Sequence, residues 1–371
     1  MKLLARYLLK ELLVPLVVWV AFLFLLLFVM QFLRGTDVLL GSAVTLVDVG
    51  RLILYLAPHF LVMALPIAFL LAILLGLGRL SEDRELTALQ ALGISPTQLL
   101  AGPAVIGVLL GGLMLLLSFT GEPWGLTGVK ELVSEVIKKN VAGDVKSGVF
   151  YEDLSDLTLY AERVSREGGQ WTHVLLHDDR EPSSPLLVLA QTGRVNTSVG
   201  DEAALRLVLD VGEVHRANRS TTDYSLLRFE QGEISVGLGT SLTRKNRFRS
   251  PKEEMTPGEL LMAAEEAEKS GGDSRPFLMA LHSRLGNAVA PLSFALLGTP
   301  LAIGRRQSGR AWGYLLTLSG YVLFYLLSRA FEHMGNQGKL PVVLAGQLTN
   351  LIFIALGIFA MWRVSRSGTV R

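Results

Sequence analysis

The chain has 371 residues, of which 50% are apolar. Counted with glycine and without tyrosine, the apolar share is about 58%, against about 45–50% in an average soluble domain, while charged residues make up 18% against about 25%. With a net charge of +2 and no cysteine, the composition excludes an ordinary soluble protein, disulfide or thiolate chemistry, and the clustered basic face of a nucleic-acid binder.

Taken from the N-terminus, Leu12 to Leu33 carries no Asp, Glu, Lys or Arg, and neither does Leu52 to Gly78. Each is long enough for a bilayer-crossing helix, which needs about 20 apolar residues. The first is too long for a cleavable signal and no small-residue cleavage site closes it, so it reads as a span. Leu86 to Gly121 is also uncharged but too long for one crossing. Its first part reads as a short helix over residues 81–93. Ser81 is placed to cap it, Glu82 and Asp83 sit in its first turn, Leu86, Leu89 and Leu92 follow at three-residue spacing, and Gly93 is placed to end it. At about 16 Å such a helix cannot span. Ser95-Pro96-Thr97-Gln98 then spells a capping box with proline at the first helical position, which starts span three. Gly107 and Gly111 within that span form a small-residue pattern that reads as close helix packing.

From Glu122 to Arg284 the polarity is ordinary. A helix is expected over Val129 to Asn140, followed by short alternating runs at residues 157–160, 171–176, 186–190, 205–211 and 224–229 with turn residues between them. This spacing predicts an antiparallel sandwich or jelly roll. Thr256, Pro257 and Glu259 spell another capping box and Gly271 a helix end. Three further spans follow, Leu285 to Gly304, Ala311 to Ser328 and Leu340 to Trp362, in which Tyr314, Thr317, Ser319, Tyr321 and Asn350 read as hydrogen-bonders between helices. The expected division is 1–121 for spans one to three, 122–275 for the β domain with flanking helices, and 276–371 for spans four to six.

Eleven Lys and Arg residues beside the spans fall on one face and four, Arg34, Arg51, Arg329 and Lys339, on the other. The positive-inside rule then places both termini in the cytoplasm and the β domain on the outer side. No Gly-x-x-x-x-Gly-Lys-Ser/Thr loop occurs, so ATP is not bound in that manner. The span interiors carry no Asp, Glu, Lys or Arg of the kind that ion-driven carriers use, and His59 reads as a hydrogen-bonded packing residue. His173 and His177 stand about 13 Å apart along a strand, too far to share a metal. The expectation is no catalytic residue, no cofactor and no metal.

The run Glu85-Leu86-Thr87-Ala88-Leu89-Gln90-Ala91-Leu92-Gly93-Ile94-Ser95 resembles the coupling-helix motif of the LptF/LptG permease family, the membrane subunits of the lipopolysaccharide-export ABC transporter. Arg6-Tyr7-Leu8-Leu9-Lys10-Glu11 resembles the opening of its F-type members. Gly298 to Ile303 and Arg306-Gln307-Ser308-Gly309-Arg310 resemble the family's fourth span and following loop. The resemblance covers essentially the whole chain. It implies an α-helical membrane protein of six spans with an all-β, jelly-roll-like periplasmic domain between spans three and four, located in a bacterial inner membrane. It further implies a cytoplasmic ATPase dimer (LptB-like) docking on Glu85, Leu86, Leu89 and Gly93, a second permease (LptG-like), a periplasmic bridge component (LptC/LptA-like), and lipopolysaccharide as the transported lipid, with no nucleic acid. Arg34, at the outer end of span one, stands where the family carries a base implicated in lipid binding. A guanidinium can pair with lipid phosphate or simply anchor the helix end by snorkelling, and Gln31 occupies the place of a second base found in some relatives. Two other readings stay open: a mechanotransmission subunit of the MacB/FtsX sort, whose usual four spans disagree with six, and a membrane-anchored periplasmic scaffold.

Overall fold

The computed structural model describes residues 2–34, 45–144, 147–154, 157–165, 170–179, 185–196, 204–217, 224–237, 251–303 and 310–367. The helices are α1 (Lys2–Arg34), α2 (Leu46–Glu82), α3 (Glu85–Ala91), α4 (Pro96–Leu116), α5 (Glu122–Asp144), α6 (Pro251–Glu254), α7 (Pro257–Lys269), α8 (Arg275–Ile303), α9 (Arg310–Asn336) and α10 (Val342–Ser367). A π-helical turn, Leu117–Gly121, joins α4 to α5 without a break. Among the described residues six helices are long and apolar enough to cross a membrane: α1, α2, the α4 to α5 helix, α8, α9 and α10. The expected fold class therefore holds, with six candidate spans and an antiparallel β unit between the third and the fourth. By its internal contacts the chain divides into two compact units, residues 1–33, 53–127 and 250–371, and residues 34–52 with 128–249.

The helical unit is built around α2, whose apolar residues point inward over most of its length because neighbours cover it on several sides. Phe69, Ile73 and Leu77 of α2 share one core with Leu12 of α1, Leu99 and Met114 of α4, Phe294 of α8 and Phe353 of α10. Phe294, Phe324 and Phe353 meet edge to face, at 4.9 Å between Phe294 and Phe324 and 5.1 Å between Phe324 and Phe353, an arrangement aromatic quadrupoles favour. The small residues Gly107 and Gly111 do pack against another span. A Cβ on Gly111 would lie 2.5 Å from the Ala288 carbonyl oxygen, and one on Gly107 would lie 3.2 Å from that of Pro291, so α4 and α8 approach backbone to backbone.

Of the five expected polar cross-links, Asn350 makes one. Its Nδ2 donates to the Gly286 carbonyl at 2.8 Å and its Oδ1 accepts from Ser293 Oγ at 3.0 Å, tying α10 to α8. Thr317 and Ser319 instead donate to their own helix, at Gly313 O and Leu315 O, the usual recourse of a hydroxyl in an apolar helix. Tyr314 and Tyr321 make ring contacts with Trp19 and Phe294.

The β unit is one antiparallel sheet in consecutive order, β1 (Phe150–Leu154), β2 (Leu157–Val164), β3 (Gln170–Asp178), β4 (Leu186–Asn196), β5 (Ala204–Ala217) and β6 (Tyr224–Gly237). Its strands succeed one another as a meander without crossovers. Leu157, Leu159, Trp171, Val174, Leu176, Val188, Leu207 and Leu209 fill one core on it, with Leu159 opposite Leu176 and Leu176 opposite Val188. His173 and Val211 are left-handed, with φ of 49° and 50°. The regular pairing skips both of them, and Glu162, Gln191 and Glu230, which stand in line with them on the neighbouring strands, are skipped too. The skipped positions form a single transverse row across the sheet, with the register unchanged on either side of it.

The helix expected at Val129 to Asn140 is the latter part of α5 and continues span three. The capping box at Thr256 is present, with Thr256 Oγ1 accepting from the Glu259 N–H and the Glu259 carboxylate accepting from the Thr256 N–H at 2.7 Å. Arg284 of α8 is buried and donates to the carbonyls of Lys252, Glu253 and Met255 at 2.8 to 2.9 Å, so the turn before α7 is seated on span four.

Candidate functional site

The linker between spans two and three is built by three local devices. Ser81 does not cap it, contrary to the sequence expectation. α2 continues through Ser81 to Glu82, so the backbone there follows the helix already running and Ser81 has no helix start to serve. The break comes at Asp83 and Arg84, where Arg84 is left-handed with φ 59° and ψ 12°, and α3 starts at Glu85. Glu85, and not Glu82 or Asp83, therefore occupies the first turn, where an acid suits the positive end of the helix dipole. The helix has seven residues, Glu85–Ala91, shorter than the expected 81–93.

Its end matches expectation. Gly93, with φ +87°, donates to Gln90 O at 2.9 Å while Ile94 donates to Leu89 O at 3.1 Å, the paired bonds of a Schellman motif. Ile94 and Leu89 both pack against the helical core. Ser95 then opens α4 with a complete capping box, Ser95 Oγ accepting from the Gln98 N–H and Gln98 Oε1 accepting from the Ser95 N–H, with Pro96 at the first helical position. The short helix is thus clamped at both ends by turns that leave it little freedom to swing independently of α2 and α4.

The expected docking residues divide by exposure. Leu86 is 2% exposed and belongs to the chain's own core, so its part is to seat the helix. Glu85 and Leu89 are half-buried, and Gly93 is exposed. Leu92, on the same side as the helix end, is 80% exposed. Two residues that sequence reasoning quoted without assigning a role stand beside them. Tyr7 Oη donates to Glu85 Oε2 at 2.6 Å. Glu11, one turn further along α1, lies 3.6 Å from Arg79, which also lies 3.6 Å from Asp83. The four-residue spacing of Tyr7 and Glu11 puts both on one helix face, and that was the available signal.

Arg34 is the last residue of α1; its side chain lies outside what the structure describes, as does the Arg306 to Gly309 loop. His59 is hydrogen-bonded, its Nδ1 standing 2.6 Å from Glu122 Oε1. Among the described residues no group of three or more His, Asp or Glu side chains is arranged to hold a metal. The β unit has a cavity of about 570 Å³ on the skipped row, walled by Tyr160, Leu175, Leu189, Val211 and Phe229 with His173, Glu213 and Arg228 at its polar side.

The sequence profile of the family described as lipopolysaccharide export system permease LptF/LptG matches residues 6–363. The chain belongs to the LptF/LptG family. It is similar to the lipopolysaccharide export system permease protein LptF of Escherichia coli strain K12, with 24% identity over 95% of this chain and 93% of that protein. The same figures hold for LptF of Shigella flexneri. An uncharacterized protein of Rickettsia prowazekii is 23% identical over 58% of each chain. LptF/LptG members are permease subunits and not themselves catalytic enzymes, and the six apolar helices together with this membership make the chain a multi-pass inner-membrane protein.

Proposed function

We propose that this LptF/LptG chain is the F-type permease subunit of an ABC transporter that extracts lipopolysaccharide from the inner membrane, driven by a separate ATPase. Both termini and the α3 linker face the cytoplasm, and the β unit faces the periplasm, as the Lys and Arg distribution beside the spans supports. An LptB-like ATPase dimer docks on α3 through Glu85, Leu89, Leu92 and the turn at Gly93. An LptG-like permease completes the lipid cavity, and an LptC/LptA-like bridge receives the lipid from the β unit. The 570 Å³ cavity, mostly apolar with an Arg and a His at its polar side, has the size and character of a pocket for part of a lipid. Arg34 offers a guanidinium to a lipid phosphate.

The observation that carries this reading is the clamped seven-residue helix between two spans, with Glu85 and Leu89 half-buried along it and Leu92 exposed at its end. A helix held by a Schellman turn and a capping box passes a push to the spans on either side instead of absorbing it. The test is to copurify the chain with candidate ATPase and permease partners and compare Glu85→Ala and Leu89→Arg. Either variant should lose the ATPase, and retention by both would refute the docking assignment. A photocrosslinker at position 34 should capture lipopolysaccharide, and capture of bulk phospholipid alone would assign that position to helix anchoring.

A further inference from the structure

α1 straps the break between α2 and α3. Glu11 is bound to Arg79 on the α2 side of the left-handed Arg84, and Tyr7 is bound to Glu85 on the α3 side. The attachment beneath these links is tight. Leu8, Leu12 and Leu16 share a core with Leu77, Leu80 and Leu86. At Gly76 the Glu11 carbonyl oxygen comes within 2.7 Å of where a Cβ would stand, so any larger residue would force α1 and α2 apart. Beyond Leu16 the same helix is covered on one side only, where Trp19, Val20 and Leu23 pack against the helical core. Val17, Val18, Leu25 and Leu33 are each at least 60% exposed, and the ring contacts Trp19 with Tyr314 and Phe24 with Phe60 are among the few along it. A helix fixed at one end and covered on one side only along the rest can swing when its fixed end is displaced.

Displacement of α3 must either break the bond from Tyr7 to Glu85 or carry the start of α1 with it. We infer that Tyr7 is a positioning residue that couples α3 to span one, so that a push on the short helix swings the exposed length of α1. The inference rests on the reading of α3 as the ATPase-docking helix. It is compatible with docking through the same carboxylate, because Tyr7 takes one oxygen and a carboxylate can accept from a basic side chain on the other.

The experiment uses the complex of this chain with its copurifying permease and ATPase, reconstituted in vesicles containing lipopolysaccharide. It compares wild type, Tyr7→Phe, a variant with para-aminophenylalanine at position 7, Leu89→Arg and Glu85→Ala. Tyr7→Phe removes one donor and should keep the ATPase bound and hydrolysing. Lipid released per ATP should fall about three- to tenfold, the scale of one lost solvent-accessible side-chain hydrogen bond. The para-amino ring restores a donor at the same place and should restore the ratio. An unchanged ratio in Tyr7→Phe overturns the coupling role while leaving α3 as the docking helix, provided Leu89→Arg loses the ATPase. Loss of ATPase binding in Tyr7→Phe overturns it too, since the hydroxyl would then serve docking, and so does failure of the para-amino ring to rescue. ATPase retained by both Leu89→Arg and Glu85→Ala removes the docking reading and this inference with it.

Discussion

His59 Nδ1 lies 2.6 Å from Glu122 Oε1, joining α2 to the first turn of α5 with both side chains largely buried. The π-helical turn Leu117–Gly121 ends at the residue before Glu122. An extra residue in that turn rotates every later side chain by about 100° relative to an uninterrupted α-helix. The two helices also meet backbone to backbone, a Cβ on Gly125 clashing with the Tyr55 carbonyl oxygen. Removing either partner of the polar pair leaves the other buried without it. His59→Ala and Glu122→Ala should each lower stability by about 1–3 kcal/mol, and the double variant should lose less than the sum. Thermal unfolding of the detergent-solubilised protein measures both.

Neighbouring glycines in α4 give a contrasting pair. Gly111→Ala would place a methyl 2.5 Å from the Ala288 carbonyl oxygen, whereas a Cβ on Gly112 meets nothing within 4 Å. Gly111→Ala should cost about 1–3 kcal/mol through overpacking. Gly112→Ala should be neutral or stabilising by up to about 1 kcal/mol from helix propensity. The same unfolding experiment compares them.

Gly93→Ala tests the seat of α3. The open space around Gly93 leaves the left-handed backbone, φ +87°, as the main source of cost, about 1–2 kcal/mol for an L-residue. Relief of that strain unwinds the Schellman turn. The amount of ATPase copurifying with the chain should fall although Glu85 and Leu89 are intact. Binding equal to wild type would show that the turn does not place the helix.

At the α7 N-terminus, pH acts through Glu259. The Thr256 backbone N–H and then its hydroxyl donate to the carboxylate, which holds its pKa below the ordinary value of 4.5. A folded-state pKa below the unfolded one means the capping contribution is present above pH 4.5 and fades as the pH falls toward the folded value. Hydrogen exchange of the first α7 amides, corrected for intrinsic rates, should accelerate on acidification, and Glu259→Gln should remove that dependence.

What could be read from the sequence was what short stretches decide for themselves. The capping boxes at Ser95 and Thr256 and the Gly93 stop depend on residues three or four apart, and each is present. Ser81 failed as a cap because a strong local signal competed with a helix already under way. Phe150–Leu154 was missed as a strand because two of its five residues are acidic and pairing with β2 holds it in place. His59 with Glu122, 63 residues apart, and Tyr7 with Glu85, 78 apart, depend on how the helices pack. The π turn that aims Glu122 leaves no composition signal. The six spans were legible because hydrophobic length alone sets them.

If this LptF/LptG chain moves lipopolysaccharide with energy supplied by another protein, ATP added with that protein must drive lipid out of the membrane. The most direct measurement reconstitutes the chain with its copurifying permease and ATPase in vesicles loaded with labelled lipopolysaccharide and follows label released to a soluble acceptor as ATP is added. Release that requires hydrolysable ATP and disappears in Leu89→Arg is the predicted result. Hydrolysis at full rate with no lipid leaving the vesicles would contradict it and assign the chain to mechanical transmission without lipid transport.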